Sequence, residues 1–448
     1  MKEPIISVSG LRGVVGQSLS PVIAAAYATA FATAMPPGDL VITRDGRPSG
    51  KLLADAIRAT FAALGRNVID AGIAATPTTG TLIRKYEAAG GIQISASHNP
   101  AEYNGIKLFG PEGRVLSASV GEQILHHYRA GESEDAWVSH QQLGVICEDD
   151  APHQRHLELV MATIDIERVR ARKFRVLLDS NHGAGSLLGR RLLTELGCDV
   201  VALGGATDGL FAHPPEPTAD NLQGVCQQVT EQQCVVGFCQ DPDADRLALI
   251  DANGRYVGEE YTVALCCDRV LCHQRGPVVT NCSTSRMTQD LAERYGVPFF
   301  RSKVGEANVC DRMIAEKAVF GGEGNGGPID PRVGYVRDSF VGMALVLSLM
   351  ADRDQSLGAL VDALPRYAIH KTKVTLGPEA VPTAIEKLKA HFDAAEPNEL
   401  DGLRLDWSDK WFLFRASNTE PIVRFVAEAP TDEEASRLCT EAIEVIQT

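Results

Sequence analysis

Three times along this chain a short apolar run closes on Gly, Asp or Asn, opens into a polar loop and gives way to helical periodicity. That alternation restricts the fold more than any other feature. Residues 40–43 (LVIT) precede a helical pattern over 51–64, and residues 91–95 lead into a polar loop. Residues 174–178 (FRVLL) are followed by NHGAGS and a helix reaching Leu196, and the runs 235–239 and 278–281 repeat the grammar. This is α/β organisation, in which functional loops follow the carboxyl ends of the strands. The final stretch differs in kind. A strand over 370–375, a long helix over 382–392, strands over 403–405, 411–414 and 422–427 and a closing helix predict a small α+β module. The first three blocks share a grammar without any fixed-period repeat.

The 448 residues exceed what one core usually supports, and at roughly 100–200 residues per domain several domains are expected. Polar or turn-rich junctions at 144–153, 251–258 and 364–370 divide the chain into 1–148, 149–253, 254–366 and 367–448. With 44% apolar and 23% charged residues the segments can bury cores. The longest apolar run, 341–351, falls well short of the roughly 20 residues that cross a bilayer and predicts a buried helix, with no membrane span. The sequence MKEPIISVSGLRG at the amino terminus has no apolar core of signal-peptide length, so a cytoplasmic location is expected. Eleven cysteines, six of them spaced C-x7-C-x4-C and C-C-x4-C between Cys226 and Cys272, match neither a zinc pair nor a disulfide framework and are expected to be reduced core residues. A net charge of −15 with no basic run disfavours nucleic acid. An acidic enzyme with an anionic substrate must gather its cations locally.

Four segments could carry chemistry. Residues 94–107 (ISASHNPAEYNGIK) place Ser97 just past an apolar strand, predicting an exposed loop serine. Such serines usually satisfy local backbone groups, and the GxSxG elbow of a hydrolase is absent, with His98 poorly placed as its base. Asp241, Asp243 and Asp245, in DPDADR between two apolar runs, cannot share a small space without raising one another's pKa; a bound cation relieves this, and hard oxygen ligands suit Mg²⁺. An acidic surface turn is the alternative, and an EF-hand is excluded because the sixth place is Arg246 and the twelfth Ala252. In residues 320–328 (FGGEGNGGP) five glycines surround Glu323 and Asn325, which could bind sugar hydroxyls, although a flexible turn would read the same way. Finally, Arg415, Ser417, Asn418, Thr419 and Arg424 gather arginines, hydroxyls and an amide within ten residues, a plausible cradle for a phosphate dianion or else a structural hairpin. Arg12 in SGLRG and the NHGAGS turn are weaker candidates, the latter lacking the lysine of a P-loop.

In this order and spacing the four segments resemble the α-D-phosphohexomutase superfamily of phosphoglucomutases, phosphomannomutases and phosphoglucosamine mutases, over nearly the whole chain. The resemblance implies four domains around one deep cleft: three related α/β domains with mixed sheets and a fourth, α+β, with a TATA-binding-protein-like fold. It implies that Ser97 is a phosphoserine and that Asp241, Asp243 and Asp245 bind one Mg²⁺ per chain together with an oxygen of the Ser97 phosphoryl group. Lys107 matches the family's general acid/base, Arg12 and Arg246 match arginines near the transferring phosphate, and His98 and Asn99 hold the loop. Glu323 and Asn325 match the sugar loop, and Arg415, Ser417, Asn418, Thr419 and Arg424 the grip on the other phosphate.

The implied reaction interconverts hexose 6-phosphate and hexose 1-phosphate through a 1,6-bisphosphate, which also serves as activator, with a phosphosugar as the sole small-molecule partner and a monomer or homodimer as the assembly. Two departures stand out. Asn325-Gly326-Gly327 replaces the Ser-Gly-His of several relatives, and Val304-Gly305-Glu306 stands where some have Thr-Gly-His, which leaves the role of Lys303 open. The GEGNGG loop and the RxSNTEPIxR cradle resemble phosphoglucosamine mutases most and dual phosphomanno/phosphoglucomutases next. A metal-dependent phosphatase, or a catalytically silent sugar-phosphate binder, would share some of these features.

Overall fold

The computed structural model describes residues 3–7, 10–131, 137–416 and 421–447. Each of the four sheets gathers strands from one stretch of chain. The first has seven strands: β1 (Ile5–Ser7), β2 (Gly10–Val14), β3 (Leu40–Arg44), β4 (Val68–Ile73), β5 (Gly90–Ile94), β6 (Tyr103–Phe109) and β7 (Ile146–Glu148), in the order β1-β2-β6-β5-β3-β4-β7. Strands β5, β3, β4 and β7 run parallel, whereas β6, β2 and β1 are added antiparallel. The second sheet holds β8 (Arg175–Asp179), β9 (Asp199–Leu203), β10 (Val236–Gln240) and β11 (Leu247–Asp251), ordered β11-β10-β8-β9, with only β11 antiparallel. The third holds β12 (Val278–Asn281), β13 (Phe299–Ser302), β14 (Phe320–Glu323) and β15 (Gly327–Ile329), ordered β13-β12-β14-β15, again with one antiparallel edge.

The central parallel strands β3, β8, β10 and β12 read as near-continuous apolar runs and are buried on both faces, as covered parallel sheets require. The last sheet is wholly antiparallel. Its strands β16 (Ala368–Thr375), β17 (Glu396–Asn398), β18 (Leu403–Asp406), β19 (Trp411–Ala416) and β20 (Ile422–Ala429) are ordered β16-β20-β19-β18-β17 and packed under helices Val381–His391 and Asp432–Gln447. The four-unit α/β architecture with mixed sheets is thus as expected.

The apolar run at 341–351 lies within helix Ser339–Arg353, in which nearly every residue is buried. A helix apolar on all sides must be covered on all sides. This one packs against helices Gln154–Met161, Ile166–Arg170 and Gly185–Glu195 of the second unit and against Glu259–His273 of the third, so that those two units share one continuous core. Asp338 caps its amino terminus, accepting from Phe340 N–H at 2.8 Å and Val341 N–H at 3.1 Å. Among the described residues no helix is long and apolar enough to cross a membrane.

All eleven cysteines are free, and most are buried. Thiol titration of the denatured protein without reductant should therefore find eleven reactive groups per chain; a smaller number would reveal disulfides and contradict this arrangement.

Candidate active site

Past β5 the chain turns through Ser95 and Ala96 into Ser97, whose backbone is left-handed at φ 50°. A side chain costs roughly 1–2 kcal/mol in that region, so neighbouring bonds must over-determine it. They do. Ser97 N–H donates to Ser95 Oγ at 2.9 Å. The buried guanidinium of Arg47 donates to the carbonyls of Ser97 (2.7 Å), Asn99 (2.6 Å), Pro100 (2.6 Å) and Tyr103 (3.0 Å). Asp45 neutralises this clamp at 3.1 Å and accepts from Ser95 Oγ at 2.6 Å. Sequence reasoning passed over Arg47, because it acts on carbonyls some fifty residues away and no local pattern displays that pairing.

The expectation of an exposed serine is corrected: Ser97 is only 1% exposed. Its loop is pressed onto the acidic loop of the second unit, where Oγ donates to Asp241 Oδ2 at 2.8 Å. His98 Nδ1 lies 3.3 Å from the same oxygen, so the histidine set aside as poorly placed does reach the hydroxyl. Burial, reinforced by Arg246 and Arg12, lowers the His98 pKa to about 3, leaving a neutral ring at neutral pH.

The acidic loop leaves β10 after Gln240 and returns as β11. Asp241, Asp243 and Asp245 are all fully buried, with one oxygen of each within 4.8 Å of the others. Lys107 on β6 reaches Asp243 Oδ2 at 2.5 Å and Asp245 Oδ2 at 3.0 Å. Thr76 Oγ1 donates to Asp243 Oδ2 at 2.5 Å, and Arg337 Nη2 to Asp245 Oδ2 at 2.7 Å. Arg246 N–H donates to Asp241 Oδ1 at 3.2 Å, and its Nε stands 3.8 Å from Asp245 Oδ1. Arg12 lies in the same field, its pKa lowered mainly by burial against the pull of Asp243.

The electrostatics are divided unequally. Burial, and then the charges of Asp243 and Asp245, push the Asp241 pKa well up. Burial resists ionisation of the other two as well, but Lys107 at Asp243, and Arg337 with Lys107 at Asp245, outweigh it and hold both low. Burial likewise works against the Lys107 ammonium, which Asp243 and Asp245 nevertheless keep protonated. Asp243 Oδ1 and Asp245 Oδ1 are buried and accept no hydrogen bond among the described residues. Two unpartnered carboxylate oxygens beside a third carboxylate that resists ionisation are costly alone, and as hard donors they fit a divalent cation such as Mg²⁺.

The glycine-rich segment is a β-hairpin rather than a flexible turn, with Glu323 opposite Gly327 across β14 and β15. Its turn rests on the metal-loop unit: Leu247 N–H donates to Gly326 O at 2.9 Å. A Cβ at Gly326, where φ is +80°, would stand 2.4 Å from Leu247 O, so only glycine permits the approach. Glu323 accepts from Asn281 Nδ2 (2.7 Å), Gly305 N–H (2.9 Å) and Arg337 Nη1 (2.9 Å). Arg337 therefore joins the acidic loop to the glycine-rich hairpin. Glu306 supports it, accepting Arg337 N–H at 2.8 Å and facing its Nε at 3.4 Å. Arg337 also escaped the sequence reading; the available signal was an arginine directly before the cap of an all-apolar helix.

A cavity of about 460 Å³ lies between the third and fourth units, with Glu323, Gly324 and Asn325 on one side and Lys373, Arg415 and Arg424 on the other. The three cations form one row across neighbouring strands, Lys373 opposite Arg424 and Arg424 opposite Arg415. Like charges placed directly opposite are unfavourable without an anion between them. Asp401 offsets part of this at 2.9 Å from Arg415 Nε, and accepts Val304 N–H at 2.9 Å. Lys373 was missed, although its alternation with Lys371 along β16 marks one face of a strand. Lys303 is exposed and absent from the cavity wall, which its neighbour Val304 joins. Ser417, Asn418 and Thr419 lie outside the described residues.

Two outcomes follow from this geometry. Arg47→Ala leaves Asp45 buried and unpaired, so chemical denaturation should register a loss of about 3–5 kcal/mol, and a loss below 1 kcal/mol would contradict the clamp. Asp243→Asn should weaken Mn²⁺ binding, followed by electron paramagnetic resonance, by about tenfold or more; unchanged affinity would remove the triad from a metal site.

Four models of the phosphoglucomutase/phosphomannomutase family match in order: α/β/α domain I at residues 4–135, domain II at 154–254, domain III at 259–367 and the C-terminal domain at 372–445. A phosphoglucomutase/phosphomannomutase of Thermococcus kodakarensis is 34% identical over 98% of this chain and 97% of its own. A phosphoglucosamine/phosphogalactosamine mutase of Sulfurisphaera tokodaii is 30% identical over 99% of both chains. Among solved structures, a phosphoglucomutase/phosphomannomutase family protein of Burkholderia thailandensis superposes with a TM-score of 0.85 at 26% identity, covering 99% of this chain and 98% of that one. The Aspergillus fumigatus N-acetylphosphoglucosamine mutase, solved with GlcNAc-6P and magnesium, shares the fold at a TM-score of 0.61 and 15% identity, over 99% of this chain and 96% of its own. With all four domain models matched and full-length relatives above 30% identity, the chain belongs to the phosphoglucomutase/phosphomannomutase family and is a phosphohexomutase enzyme.

Proposed function

We propose that the enzyme interconverts glucosamine 6-phosphate and glucosamine 1-phosphate through phospho-Ser97 and a 1,6-bisphosphate. The observation that carries the phosphoserine is the contact of Ser97 Oγ with Asp241 at 2.8 Å, inside a buried three-carboxylate site. In the first half-reaction the free C1 or C6 hydroxyl attacks the phosphorus of phospho-Ser97, the hydroxyl proton leaves to a base, and the serine oxygen departs with the bonding pair. The bisphosphate then turns round, and Ser97 Oγ takes back the other phosphoryl group. A divalent cation held by Asp241, Asp243 and Asp245 would neutralise the phosphoryl oxygens and release Lys107 from its carboxylate partners. Lys107 is the acid/base for the sugar hydroxyl: freed from its carboxylate partners, its amine form would accept the proton of the attacking hydroxyl in the first half-reaction, and the resulting ammonium would return a proton to the departing sugar oxygen in the second. Neutral His98, 3.3 Å from Ser97 Oγ, is placed to accept the serine proton. Arg12 and Arg246 face the transferring phosphoryl group. Hexose 1,6-bisphosphate recharges a serine that has lost its phosphate.

The spectator phosphate is assigned to Lys373, Arg415 and Arg424, with Ser417, Asn418 and Thr419 completing the cradle, while Glu323 and Asn325 take sugar hydroxyls. Binding energy gathered on a separate module then holds the reacting oxygen in line. The modules are assigned as 1–148, 149–253, 254–366 and 367–448, a division supported by the four separate sheets. Glucosamine phosphate is favoured by the GEGNGG hairpin and by relatives such as the Sulfurisphaera mutase. The Thermococcus relative, at 34% identity, favours a second reading as a phosphomanno/phosphoglucomutase.

Assays with Mg²⁺ and a trace of bisphosphate against glucosamine, mannose and glucose 6-phosphates should give the highest kcat/KM for glucosamine 6-phosphate. Comparable mannose and glucose activity would establish the second reading instead. Ser97→Ala should lose turnover by a factor on the order of a thousand or more while still folding; near-normal activity would end the phosphoserine assignment.

A further inference from the structure

Helix Glu259–His273 begins at the wall of the cavity with two glutamates. Glu260 Oε2 accepts Ser285 N–H at 2.9 Å, whereas Oε1 is shielded from solvent and accepts no hydrogen bond among the described residues. The carboxylate lies directly against Gly324. A Cβ there would stand 2.1 Å from Oε1 and 2.2 Å from Oε2, so the glycine between Glu323 and Asn325 is the condition for Glu260 to occupy this place. Glu260 and Glu323 line one cavity but differ in their partners. Glu323 is matched by Arg337, Asn281 and Gly305. No basic side chain among the described residues pairs with Glu260. Lys371 on β16 is the cation it senses, while Glu428 and Glu259 add negative charge, and burial above all raises its pKa to about 8. A desolvated carboxylate with a free oxygen and an excess of like charge around it gains most from a cationic ligand.

We propose that Glu260 is a specificity residue of the sugar site that receives the positively charged amino group of a hexosamine phosphate. The proposal rests on the preceding reading that the site takes an amino sugar, and names the group that recognises it. Domain III presents the acidic wall of the cavity, where a bound cation would draw Glu260 into its carboxylate form, and domain IV the basic one, so a ligand carrying both an ammonium and a phosphate spans the two. A neutral hexose offers Glu260 only a hydroxyl, which gives a weaker bond without charge. Glu323, already committed to three donors, is the lesser acceptor for a cation.

The test is Glu260→Gln, which keeps the shape and removes the ability to ionise beside a cationic ligand. With kcat/KM measured for glucosamine 6-phosphate and glucose 6-phosphate on the same preparation, the amino-to-neutral ratio should fall about tenfold relative to the unmodified enzyme. Gly324→Ala, whose Cβ displaces the Glu260 carboxylate, should lower the ratio in the same direction and decides the matter if the first variant does not fold. An equal loss with both sugars would make Glu260 a closing contact for Lys371 and overturn the proposal, as would an unchanged ratio. The two readings fail separately. An unmodified enzyme that prefers glucose phosphate, with a ratio that still falls in E260Q, defeats the amino-sugar assignment alone; an unmodified enzyme that prefers glucosamine phosphate, with a ratio that does not move, defeats the role of Glu260 alone.

Discussion

Three carboxylates buried within 4.8 Å of one another are the constraint around which this molecule is arranged. Left alone, Asp241, Asp243 and Asp245 would repel, and one or more would be protonated. The chain answers with groups from three units: Lys107 and Thr76 from the first, Arg246 from the loop itself, Arg337 from the third. These contacts also fix relative positions. Ser97 is brought to Asp241 by the same packing that brings Lys107 to Asp243, and Arg337 ties Asp245 to Glu323. Ser97 and the glycine-rich hairpin are thus held against one electrostatic centre.

The surplus of negative charge over the whole chain makes the local cations informative. In a protein of net charge −15, three basic side chains aligned in register across β16, β20 and β19 amount to a site prepared for an anion. The opposite wall is acidic, with Glu323 and Glu260. This cavity is bipolar, with basic side chains on one wall and acidic ones on the other. On the reading proposed above, a substrate that turns round would keep its phosphate anchor in either orientation, which a site built from one module could not easily provide.

Strands β3, β5, β8, β10 and β12, four strands of the last sheet, the apolar helix and the small final module were legible because each follows from hydrophobic period and length, whereas edge strands such as β7, β9 and β17 bury too little to show that pattern. The run at 341–351 has no polar stripe and so had to be covered on every side. The aspartates were legible as a cation site from their alternate spacing, whereas Ser97 and Lys107 were singled out through the family resemblance. The burial of Ser97 was not, because it arises where a loop of one unit meets a loop of another. Arg47, Arg337 and Lys373 escaped for a related reason: their partners are carbonyls, carboxylates and a neighbouring strand far along the chain. The glycine-rich segment read as a loop because glycine carries no strand signal, whereas Gly326 and Gly324 are small to let Leu247 and Glu260 approach.

The proposed route takes the phosphoryl group through Ser97. It is tested most directly by incubating the full-length protein with Mg²⁺ and hexose 1,6-bisphosphate labelled in its phosphates, then mapping the label by peptide mass spectrometry. Label is expected on the peptide containing Ser97, in near-stoichiometric amount and discharged by hexose monophosphate. Label on another residue, or turnover with Ser97 unlabelled throughout, would contradict it.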